Sequence, residues 1–508
     1  MMPLHTRQPG YPLQALLEGF APVETELCVT GLATDSRQVR PGDLFLAVAG
    51  LQHHGLDHAR EAVAAGAAAV LWEPRAERPE LAQQAAALQV PAIALSGLRA
   101  RLGLIASRFY GAPSHELFVV GVTGTDGKTS CTHFLAEAFS EPGCPGALLG
   151  TLGYGPIGRL KPATHTTPDA LVIQRELAEM RDAGLHRVAM EVSSHGLHQG
   201  RVSGVHFDVA VLTNLSRDHL DYHGDLAAYG NAKRLLFQAP DLRAAVINGG
   251  DPFGRELIGQ LTSIPRIIAY GLEEDLAGLQ DVERVSGHDL RLDETGLSLR
   301  VRTPWGEGEL QAGLLGGFNA GNLLAVLAVL GIAGMPLVEI LARLARVRTV
   351  PGRMERFGGE AGQPLVVVDY AHTPRALEQV LLALRGHCRG RLWCVFGAGG
   401  DRDRGKRPLM GSVAERLADR VLLTNDNPRS EAPDAILAEI QAGMARPRAE
   451  QLMPDRAAAI RHAVSQAGPG DLVLVAGKGH EDYQQIGAER RPFSDRAQVL
   501  AALAGGAA

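Results

Sequence analysis

The sequence predicts an α/β protein of three domains: a small N-terminal α/β domain, a central domain with a mainly parallel sheet, and a C-terminal Rossmann-like domain. Short apolar runs alternate with helical patterns along almost the whole chain, which is typical of parallel sheets covered by helices. The length of 508 residues corresponds to about three ordinary domains. Several apolar runs also end in polar or glycine residues, as strands do where such sheets bind ligands.

The three predicted domains are residues 1–112, 113–349 and 350–508. Gly-Ala-Pro-Ser at 111–114 and Val-Pro-Gly at 350–352 provide the breaks. The first domain contains DSRQVRPGDLFLAVAG, an alanine-rich helix and the strand-like AAAVLW. The second contains the buried-strand patterns LFVVGVTG, HRVAMEVSS, DVAVLTNL and AAVING. The third contains PLVVVDYAHTP, RLWCVFGAGGDRD, DRVLLTNDNPR and DLVLVAGKGHED.

Composition and charge argue against several classes of protein. A 45% hydrophobic share with 21% charged residues is ordinary for a globular protein. The net charge of −6 argues against a general nucleic-acid or anionic-membrane partner, because both need a basic face. The five cysteines are scattered without CxxC spacing, which favours a reducing compartment over a disulfide framework or zinc site.

The N-terminal residues lack the apolar stretch of a secretory signal, and the apolar runs are too short or too interrupted for membrane insertion. We therefore expect a cytoplasmic protein. We also expect it to be a monomer.

A phosphate-binding loop follows the first strand of the central domain. A glycine-rich turn between a strand and a helix lets backbone N–H groups converge on phosphate oxygens, and the residues concerned are Gly124, Thr125, Asp126, Gly127, Lys128 and Thr129. Lys128 is expected to reach the β- and γ-phosphates of a nucleoside triphosphate, and the Thr129 hydroxyl to bind Mg²⁺. The spacing departs from GxxxxGK[ST], since Val122 stands at the first glycine position. The alternative is a tight turn with a surface lysine.

Two polar clusters follow neighbouring predicted strands. The first holds Glu191, Ser193, Ser194 and His195, and the second holds Asn214, Asp218, His219, Asp221, His223 and Asp225. Two histidines and three aspartates would suit zinc, but no HExxH pattern or cysteine accompanies them. A solvated polar loop would explain the second cluster alone. Beside the phosphate loop and the Glu191 carboxylate, a magnesium site is the better interpretation.

The motifs taken together resemble the Mur ligase family. They begin with DSR at Asp35 and end at Asp482, in the order of that family. The motifs after DSR are GVTGTDGKT, EVSSHGL, NLSRDHLDYHG, GxFNxxN (316–322), PGRME, DYAHTP, GDRDRGKRP, DNPR and GKGHED. No single motif is decisive, but their joint occurrence leaves little room for coincidence.

The resemblance implies that the first two domains hold a UDP-N-acetylmuramoyl-dipeptide. The positions matching the uridine-nucleotide contacts are Ser36, Gln52, His53 and His54. The positions matching the muramoyl-dipeptide contacts are Thr166, Thr167, Ser193, Gln199 and Arg201. Without the resemblance, the residues of the first domain would be interpreted as turn and cap residues, and Arg201 as a surface charge.

The resemblance also implies the ATP and metal ligands. The phosphate loop would bind ATP as co-substrate, and Glu191 and His219 match the magnesium ligands. Lys233 matches a lysine that the family carbamylates, which would give an anion able to bind a second Mg²⁺; otherwise it is a helix-surface lysine. Asn319 and Asn322, spaced i, i+3 on one helix face, match residues near the adenine. Arg353 and Asp369 match residues that hold the nucleotide from the third domain.

Amino-acid specificity is implied for the third domain. The DNPR motif is typical of members that use meso-diaminopimelate, whose distal carboxylate suits an arginine. The matching positions are Arg402, Asp426, Asn427, Pro428, Arg429, Gly477 and Glu481, with Glu481 suited to a distal ammonium. Asn-Pro also commonly starts a turn, which is the simpler interpretation of this tetrapeptide.

The implied activity is ATP-dependent formation of an amide bond in peptidoglycan precursor synthesis, with Lys128, Glu191, His219 and Lys233 in the catalytic centre. A lysine-adding member, a folylpolyglutamate synthase and a phosphate-loop switch protein are the alternatives. Asp126 departs from the asparagine of many members. We expect ATP use to persist, because Lys128 and Thr129 are intact.

Overall fold

The computed structural model describes residues 10–50, 53–360 and 362–505, which divide into two compact units. Unit 1 comprises the described residues up to 247 together with 251–267, and unit 2 comprises 248–250 and those from 268 onward. The predicted domain boundaries after residues 112 and 349 stay predictions.

The N-terminal part of unit 1 is a small sheet with helices. Strands β3 to β6 pair in sequential order and are all parallel, while β1 and β2 form a separate antiparallel pair. The strands are β1 (Tyr11–Pro12), β2 (Cys28–Val29), β3 (Gly31–Ala33), β4 (Asp43–Ala47), β5 (Ala69–Trp72) and β6 (Ala92–Ala94). The helices are α1 (Leu13–Leu17), α2 (Ala59–Ala64), α3 (Glu80–Ala86) and α4 (Leu98–Phe109).

The larger part of unit 1 is a mostly parallel sheet in the order β12-β11-β7-β10-β8-β9. Only β9 runs antiparallel to its neighbour. The strands are β7 (Phe118–Thr123), β8 (Ala147–Gly150), β9 (Gly153–Pro156), β10 (Arg187–Glu191), β11 (Val209–Leu212) and β12 (Ala244–Asn248). The helices are α5 (Lys128–Phe139), α6 (Ala170–Asp182), α7 (Ser194–His198), α8 (Leu220–His223), α9 (Leu226–Arg234) and α10 (Pro252–Gln260).

Unit 2 begins with four strands whose pairing is mainly antiparallel. Strands β13 and β14 are parallel, and β14, β15 and β16 form a meander. The elements are β13 (Ile267–Leu272), β14 (Glu283–Asp293), β15 (Gly296–Thr303), β16 (Gly306–Ala312), α11 (Phe318–Ile332) and α12 (Leu337–Leu344).

The C-terminal part of unit 2 has a five-stranded sheet in the order β17-β18-β21-β19-β20, in which β17 is the antiparallel edge strand. A separate hairpin is formed by β22 and β23. The strands are β17 (Glu355–Gly358), β18 (Leu365–Asp369), β19 (Leu392–Phe396), β20 (Arg420–Leu423), β21 (Leu472–Ala476), β22 (Tyr483–Ile486) and β23 (Glu489–Pro492). The helices are α13 (Pro374–Arg385), α14 (Lys406–Leu417), α15 (Pro433–Gln441), α16 (Arg456–Gln466) and α17 (Asp495–Gly505).

The central strands are buried on both faces, which explains their nearly continuous apolar sequences. The starts of the helices are likewise determined by residues close in sequence, which cap their first N–H groups. The side chain of Asp169 accepts a hydrogen bond from Val172 N at the start of α6, and Thr373 caps α13 with a proline at its first position. The predicted α/β class with largely parallel sheets is confirmed. Within the described residues, no helix has the length and apolarity needed to cross a bilayer.

Candidate active site

The phosphate loop connects β7 to α5 and depends on two glycines in positive-φ conformations. Gly124 has φ 149° and Gly127 has φ 82°, a region that side chains disfavour. A Cβ at Gly124 would lie 1.8 Å from Thr213 Oγ1, so only glycine fits there. Because Gly127 immediately precedes α5, the first N–H groups of that helix are directed at the loop.

The segment after β11 holds the loop from the other side. Thr125 N donates to Asn214 O at 2.9 Å, and Asp126 N donates to Asn214 Oδ1 at 3.0 Å. Thr213 Oγ1 donates to Asp126 O at 2.6 Å. The backbone of Asp126 is therefore fixed, while the residue itself is exposed and its carboxylate can stay solvated. This geometry is compatible with an aspartate at this position of the loop.

Glu191, at the end of β10, lies against the start of α5. Thr129 Oγ1 donates to Glu191 Oε2 at 2.8 Å, and Thr151 donates to the same carboxylate through its N (2.7 Å, to Oε1) and its Oγ1 (3.2 Å, to Oε2). Burial raises the pKa of Glu191, although these hydrogen bonds oppose the rise. The loop hydroxyl and the strand-end carboxylate thus form one hydrogen-bonded cluster of oxygen atoms.

Two lysines converge on one carbonyl of the loop. Lys128 Nζ donates to Gly124 O and Thr125 O, both at 2.8 Å, and Lys233 Nζ donates to Gly124 O at 2.8 Å. Lys233 is buried, with its ammonium 4.2 Å from the centre of the Tyr229 ring. Burial, followed by the charge of Lys128, lowers the pKa of Lys233 to about 6. Burial therefore favours the neutral amine of Lys233, which the simpler interpretation as a surface lysine does not anticipate.

His195 of the first polar cluster contacts both histidines of the second cluster and a tyrosine. The centre of the His195 ring lies 4.9 Å from the centre of the His219 ring, 5.4 Å from that of His223 and 4.2 Å from that of Tyr222. His219 has a left-handed backbone (φ 51°) and a half-exposed side chain beside Asp218. Among the described residues, no three His, Cys, Asp or Glu side chains are grouped so that they could hold a metal ion.

The residues predicted to bind the muramoyl-dipeptide are linked around Thr167. Arg201 Nη1 donates to Thr167 O at 2.7 Å, and its Nε donates to Gln199 Oε1 at 3.0 Å. Ser193 N donates to Thr167 Oγ1 at 2.9 Å, while the Ser193 hydroxyl caps α7. Thr166 Oγ1 accepts a hydrogen bond from Thr151 Oγ1 at 3.0 Å, which joins this group to the Glu191 cluster. The structure therefore brings these five predicted residues together.

The predicted uridine-nucleotide residues have structural roles of their own. Ser36 Oγ donates to Glu61 Oε2 at 3.1 Å. His54 is buried, its Nδ1 accepting from Leu56 N at 3.0 Å and its Nε2 lying 2.7 Å from Glu73 O. Both of its ring nitrogens are thus bound within the protein. His53 is exposed, and Gln52 lies outside the described residues.

In unit 2, the two asparagines predicted near the adenine lie on one face of α11, as expected. Asn322 Nδ2 donates to Asn319 Oδ1 at 2.9 Å, and Asn319 Nδ2 donates to Leu315 O at 2.8 Å. Both residues are buried, so these bonds fix their orientation.

Asp369 and Arg353 share a second region of unit 2. The Asp369 carboxylate accepts from Met354 N and Ala371 N, both at 2.7 Å. Burial raises the pKa of Asp369 despite these bonds. Asp369 therefore shapes the 353–354 turn, while Arg353 is exposed, about 6.0 Å from the Tyr370 ring.

The DNPR turn presents a buried carboxylate and an arginine. No hydrogen bond reaches the Asp426 carboxylate from the described part of the chain, although the residue is only 7% exposed. A Cβ at Gly477 would lie 2.5 Å from Asp426 Oδ2, so the glycine keeps the space beside this carboxylate open. Arg429 has a left-handed backbone (φ 53°), and its Nη1 donates to Gly400 O at 2.5 Å.

The Arg429 backbone is held by the C-terminal hairpin. Its N donates to Gln485 O at 3.1 Å, and its O accepts from Gly487 N at 2.7 Å. A strained backbone at a non-glycine residue persists only where its surroundings impose it, and such sites are often functional.

Glu481 already has a cationic partner. Lys478, which is fully buried, donates to Glu481 Oε2 at 2.8 Å, and Asn427 Nδ2 donates to the same oxygen at 2.9 Å. Burial alone would raise the pKa of Glu481, but Lys478 and Asn427 outweigh it and lower the pKa. Arg402 is exposed on the neighbouring loop, and Pro428 O accepts from Glu431 N at 3.1 Å.

Three family models match the chain one after another. "Mur ligase family, catalytic domain" matches residues 28–110, "Mur ligase middle domain" matches 122–330, and "Mur ligase, glutamate ligase domain" matches 352–479. Together they span most of the sequence. The chain belongs to the Mur ligase family.

Within that family the similarity extends over almost the entire chain. A relative from Alkalilimnicola ehrlichii named "UDP-N-acetylmuramoyl-L-alanyl-D-glutamate--2,6-diaminopimelate ligase" is 55% identical over 478 residues, covering 94% of this chain and 95% of the relative. One of the same name from Ectopseudomonas mendocina is 51% identical over 97% of this chain and 98% of its own. A solved structure of an enzyme of that name has a TM-score of 0.78 at 35% identity, covering 98% of this Mur ligase and 100% of that chain.

Sequence reasoning missed two residues that contact the predicted site residues. Thr151 follows β8 directly and donates to Glu191, and Lys478 lies inside the GKGHED motif and pairs with Glu481. Their signal was the same as for the residues that were found, namely a polar side chain within two residues of the end of a buried strand.

Proposed function

We propose that this Mur ligase joins meso-diaminopimelate to UDP-N-acetylmuramoyl-L-alanyl-D-glutamate, with ATP as co-substrate, in peptidoglycan precursor synthesis. The observation that carries the proposal is the DNPR turn, because it presents both charges that this amino acid requires. Asp426 offers a buried carboxylate without a hydrogen-bond donor from the described chain, which suits an ammonium group. Arg429 offers a guanidinium for a carboxylate. Lysine has no distal carboxylate for such a residue.

Magnesium fits the oxygen ligands at the phosphate loop. Mg²⁺ is usually bound through one or two protein carboxylates together with substrate phosphates and water, so a protein cage is not needed. Thr129 Oγ1 and the Glu191 carboxylate, 2.8 Å apart, are ligands of that kind. We propose these two residues and His219 as magnesium ligands. When bound, the ion would neutralise charge on the phosphates.

The first chemical step is assigned to unit 1. The glutamyl carboxylate of the UDP-linked dipeptide attacks the γ-phosphorus of ATP, the bond to the β-phosphate oxygen breaks, and an acyl phosphate and ADP result. Lys128 and the first N–H groups of α5 would hold the phosphates, and Arg201 would orient the dipeptide.

The second step joins the amine. The neutral amino group of diaminopimelate attacks the acyl carbon, a tetrahedral intermediate forms, phosphate leaves, and the nitrogen loses its proton. Asp426 and Arg429 would orient the amino acid for this attack. No protein nucleophile is required.

Lys233 is proposed to be carbamylated. Its amine nitrogen would attack carbon dioxide and release one proton, which requires the neutral form that a pKa of about 6 favours. The resulting anion would lie next to Lys128, because both nitrogens reach the carbonyl of Gly124. We propose that this anion supplies a further metal ligand.

The first experiment is phosphate release with ATP, Mg²⁺ and the UDP-linked dipeptide, with meso-diaminopimelate or lysine added separately and the product weighed by mass spectrometry. Turnover with diaminopimelate alone is expected. Turnover with lysine alone would retain a ligase but reject the assignment of Arg429, and release without any amide product would favour a switch protein. A folylpolyglutamate synthase would not use the UDP-linked dipeptide.

Arg429→Ala provides the matched test of specificity. We expect the KM for diaminopimelate to rise by at least about a hundredfold, about 2.7 kcal/mol, because a charge-assisted bidentate contact is lost. The KM for ATP should stay within about twofold, which corresponds to a few tenths of a kcal/mol. An equal loss for both substrates would indicate a damaged fold.

We also propose that the protein is located in the cytoplasm. Fractionation of cells that produce it would test this location.

A further inference from the structure

The proposed amino-acid site draws its two arginines from separate loops. Arg402 lies between β19 and α14, and Arg429 lies between β20 and α15. The strands β19 and β20 are parallel neighbours, so both loops leave the same edge of the sheet. Gly400 N donates to Asn427 O at 2.9 Å, and a Cβ at Gly400 would lie 1.8 Å from Pro428 O. The loops are therefore in direct backbone contact.

A third arginine, Arg407, connects these two loops through hydrogen bonds of its side chain. It lies in the first turn of α14 and its side chain is 0% exposed. Its Nη1 and Nη2 donate to the two oxygens of Glu431, both at 2.8 Å, and Nη1 also donates to Glu439 Oε2 at 2.7 Å. Its Nη2 reaches Gly399 O at 3.2 Å. One guanidinium thus holds the Arg402 loop, the residues after DNPR and helix α15.

Glu431 extends the connection back to the Arg402 loop. Its Oε1 also accepts from Asp401 N at 2.6 Å, and the Asp401 carboxylate accepts from Ser430 N at 3.2 Å. The Arg407 hydrogen bonds hold the pKa of Glu431 at about 2, so Glu431 stays anionic at any pH where the enzyme would work. These bonds leave little freedom in the spacing of the two loops.

We propose that Arg407 is a positioning residue that sets the distance between Arg402 and Arg429, and so determines selectivity for an amino acid with a distal carboxylate. The inference rests on the proposed function. Its physical reason is the bidentate geometry: a planar guanidinium fixes the position of Glu431, whereas lysine would act only as a point charge. Arg407 does not itself contact the amino acid in this account.

The test compares Arg407→Gln and Arg407→Lys with Arg404→Gln. Arg404 is the matched control, because it also pairs with Glu439 but is 67% exposed and does not reach Glu431. We expect Arg407→Gln to raise the KM for diaminopimelate about tenfold or more, roughly the effect of 1.4 kcal/mol, with the KM for ATP unchanged. The ratio of kcat/KM for diaminopimelate to that for lysine should fall, and Arg407→Lys should restore part of it. Arg404→Gln should match wild type.

Circular dichroism and thermal unfolding would show whether Arg407→Gln folds. If it does not, a second variant tests the same inference. Glu431→Gln replaces one of the two accepting oxygens with an amide nitrogen, so it breaks the bidentate contact from the other side and leaves Arg407 paired with Glu439. It should produce the same selective rise in the KM for diaminopimelate. A proportional loss for ATP and both amino acids in the folded variants would overturn the inference, as would an unchanged selectivity ratio.

Direct binding of meso-diaminopimelate to the wild-type protein, measured by calorimetry with ATP and Mg²⁺ present, separates the two claims. If wild type binds it and the folded Arg407→Gln binds equally tightly, the positioning role fails and the proposed function stands. If wild type binds none, the proposed function fails and takes the positioning role with it.

Discussion

Asp495→Asn tests a buried ion pair behind the proposed amino-acid site. Arg456 and Asp495 are both 0% exposed, and Arg456 Nε and Nη2 donate to the two carboxylate oxygens, each at 2.7 Å. Arg456 Nη2 also reaches Ala476 O at 2.9 Å, and Nη1 reaches Asn425 O at 3.3 Å. These carbonyls immediately precede Gly477 and Asp426. The pair therefore fixes the end of β21 and the segment just after β20, and both lead into the proposed site.

The expected cost of Asp495→Asn is about 3–5 kcal/mol of unfolding free energy, since removing one partner leaves a buried charge uncompensated. The asparagine retains one oxygen as acceptor, so the lower end of the range is expected. For a unit of this size the loss corresponds to a fall of roughly 6–20 °C in the unfolding temperature. Replacing both partners by apolar residues, in Arg456→Met with Asp495→Leu, should cost less than the single change.

The measurement is urea unfolding followed by tryptophan fluorescence, because Trp305 and Trp393 both lie in unit 2. Glu489→Gln is the control. It breaks an exposed pair with Arg491 in the same unit, with side chains 61% and 57% exposed, and should cost less than about 1 kcal/mol. A loss below about 1 kcal/mol for Asp495→Asn would refute the reasoning, since the pair would then behave like an exposed one.

Three further predictions concern residues in or near the proposed ATP site. Gly124→Ala should raise the KM for ATP by about tenfold or more, roughly 1.4 kcal/mol, because its Cβ would lie 1.8 Å from Thr213 Oγ1; unaltered ATP kinetics would contradict the loop geometry. Lys233 should take up ¹³C-labelled carbon dioxide, seen by NMR, only above a midpoint near its pKa of about 6, because the ammonium form below it has no free electron pair. A signal that survives in Lys233→Met would assign the uptake elsewhere. His387→Ala removes the ring nitrogen that accepts from Gly316 N at 2.8 Å, so unfolding free energy should fall by about 1–3 kcal/mol, with a higher KM for ATP; unchanged urea unfolding would count against this role.

Local patterns predicted the strands and the loops that follow them. The runs at 118–123, 187–191, 365–369 and 472–476 are strands, and polar motifs follow their carboxyl ends. The pairing of Asn319 with Asn322 was predictable too, because a spacing of three on a helix brings side chains together. In each case the structure is determined by residues that are close together in the sequence.

The remaining features depend on contacts between distant segments. Nothing around Arg407 in the sequence indicates that its partners lie at 431 and 439. The lowered pKa of Lys233 likewise depends first on burial and then on the charge of Lys128, and it is the fold that buries the one and brings the other to the same carbonyl. For His54, the structure supplies the hydrogen bonds of a cap residue, and its predicted nucleotide contact remains a prediction.

The left-handed turn at Arg429 has an implication for how amino-acid choice can diverge among related enzymes. Its backbone is tied to Gln485 and Gly487, which belong to a hairpin far along the chain from the tetrapeptide. An alteration in that hairpin can redirect the guanidinium while leaving DNPR itself intact. Two proteins with the same tetrapeptide can therefore prefer different amino acids, and a comparison restricted to the motif would not reveal the difference.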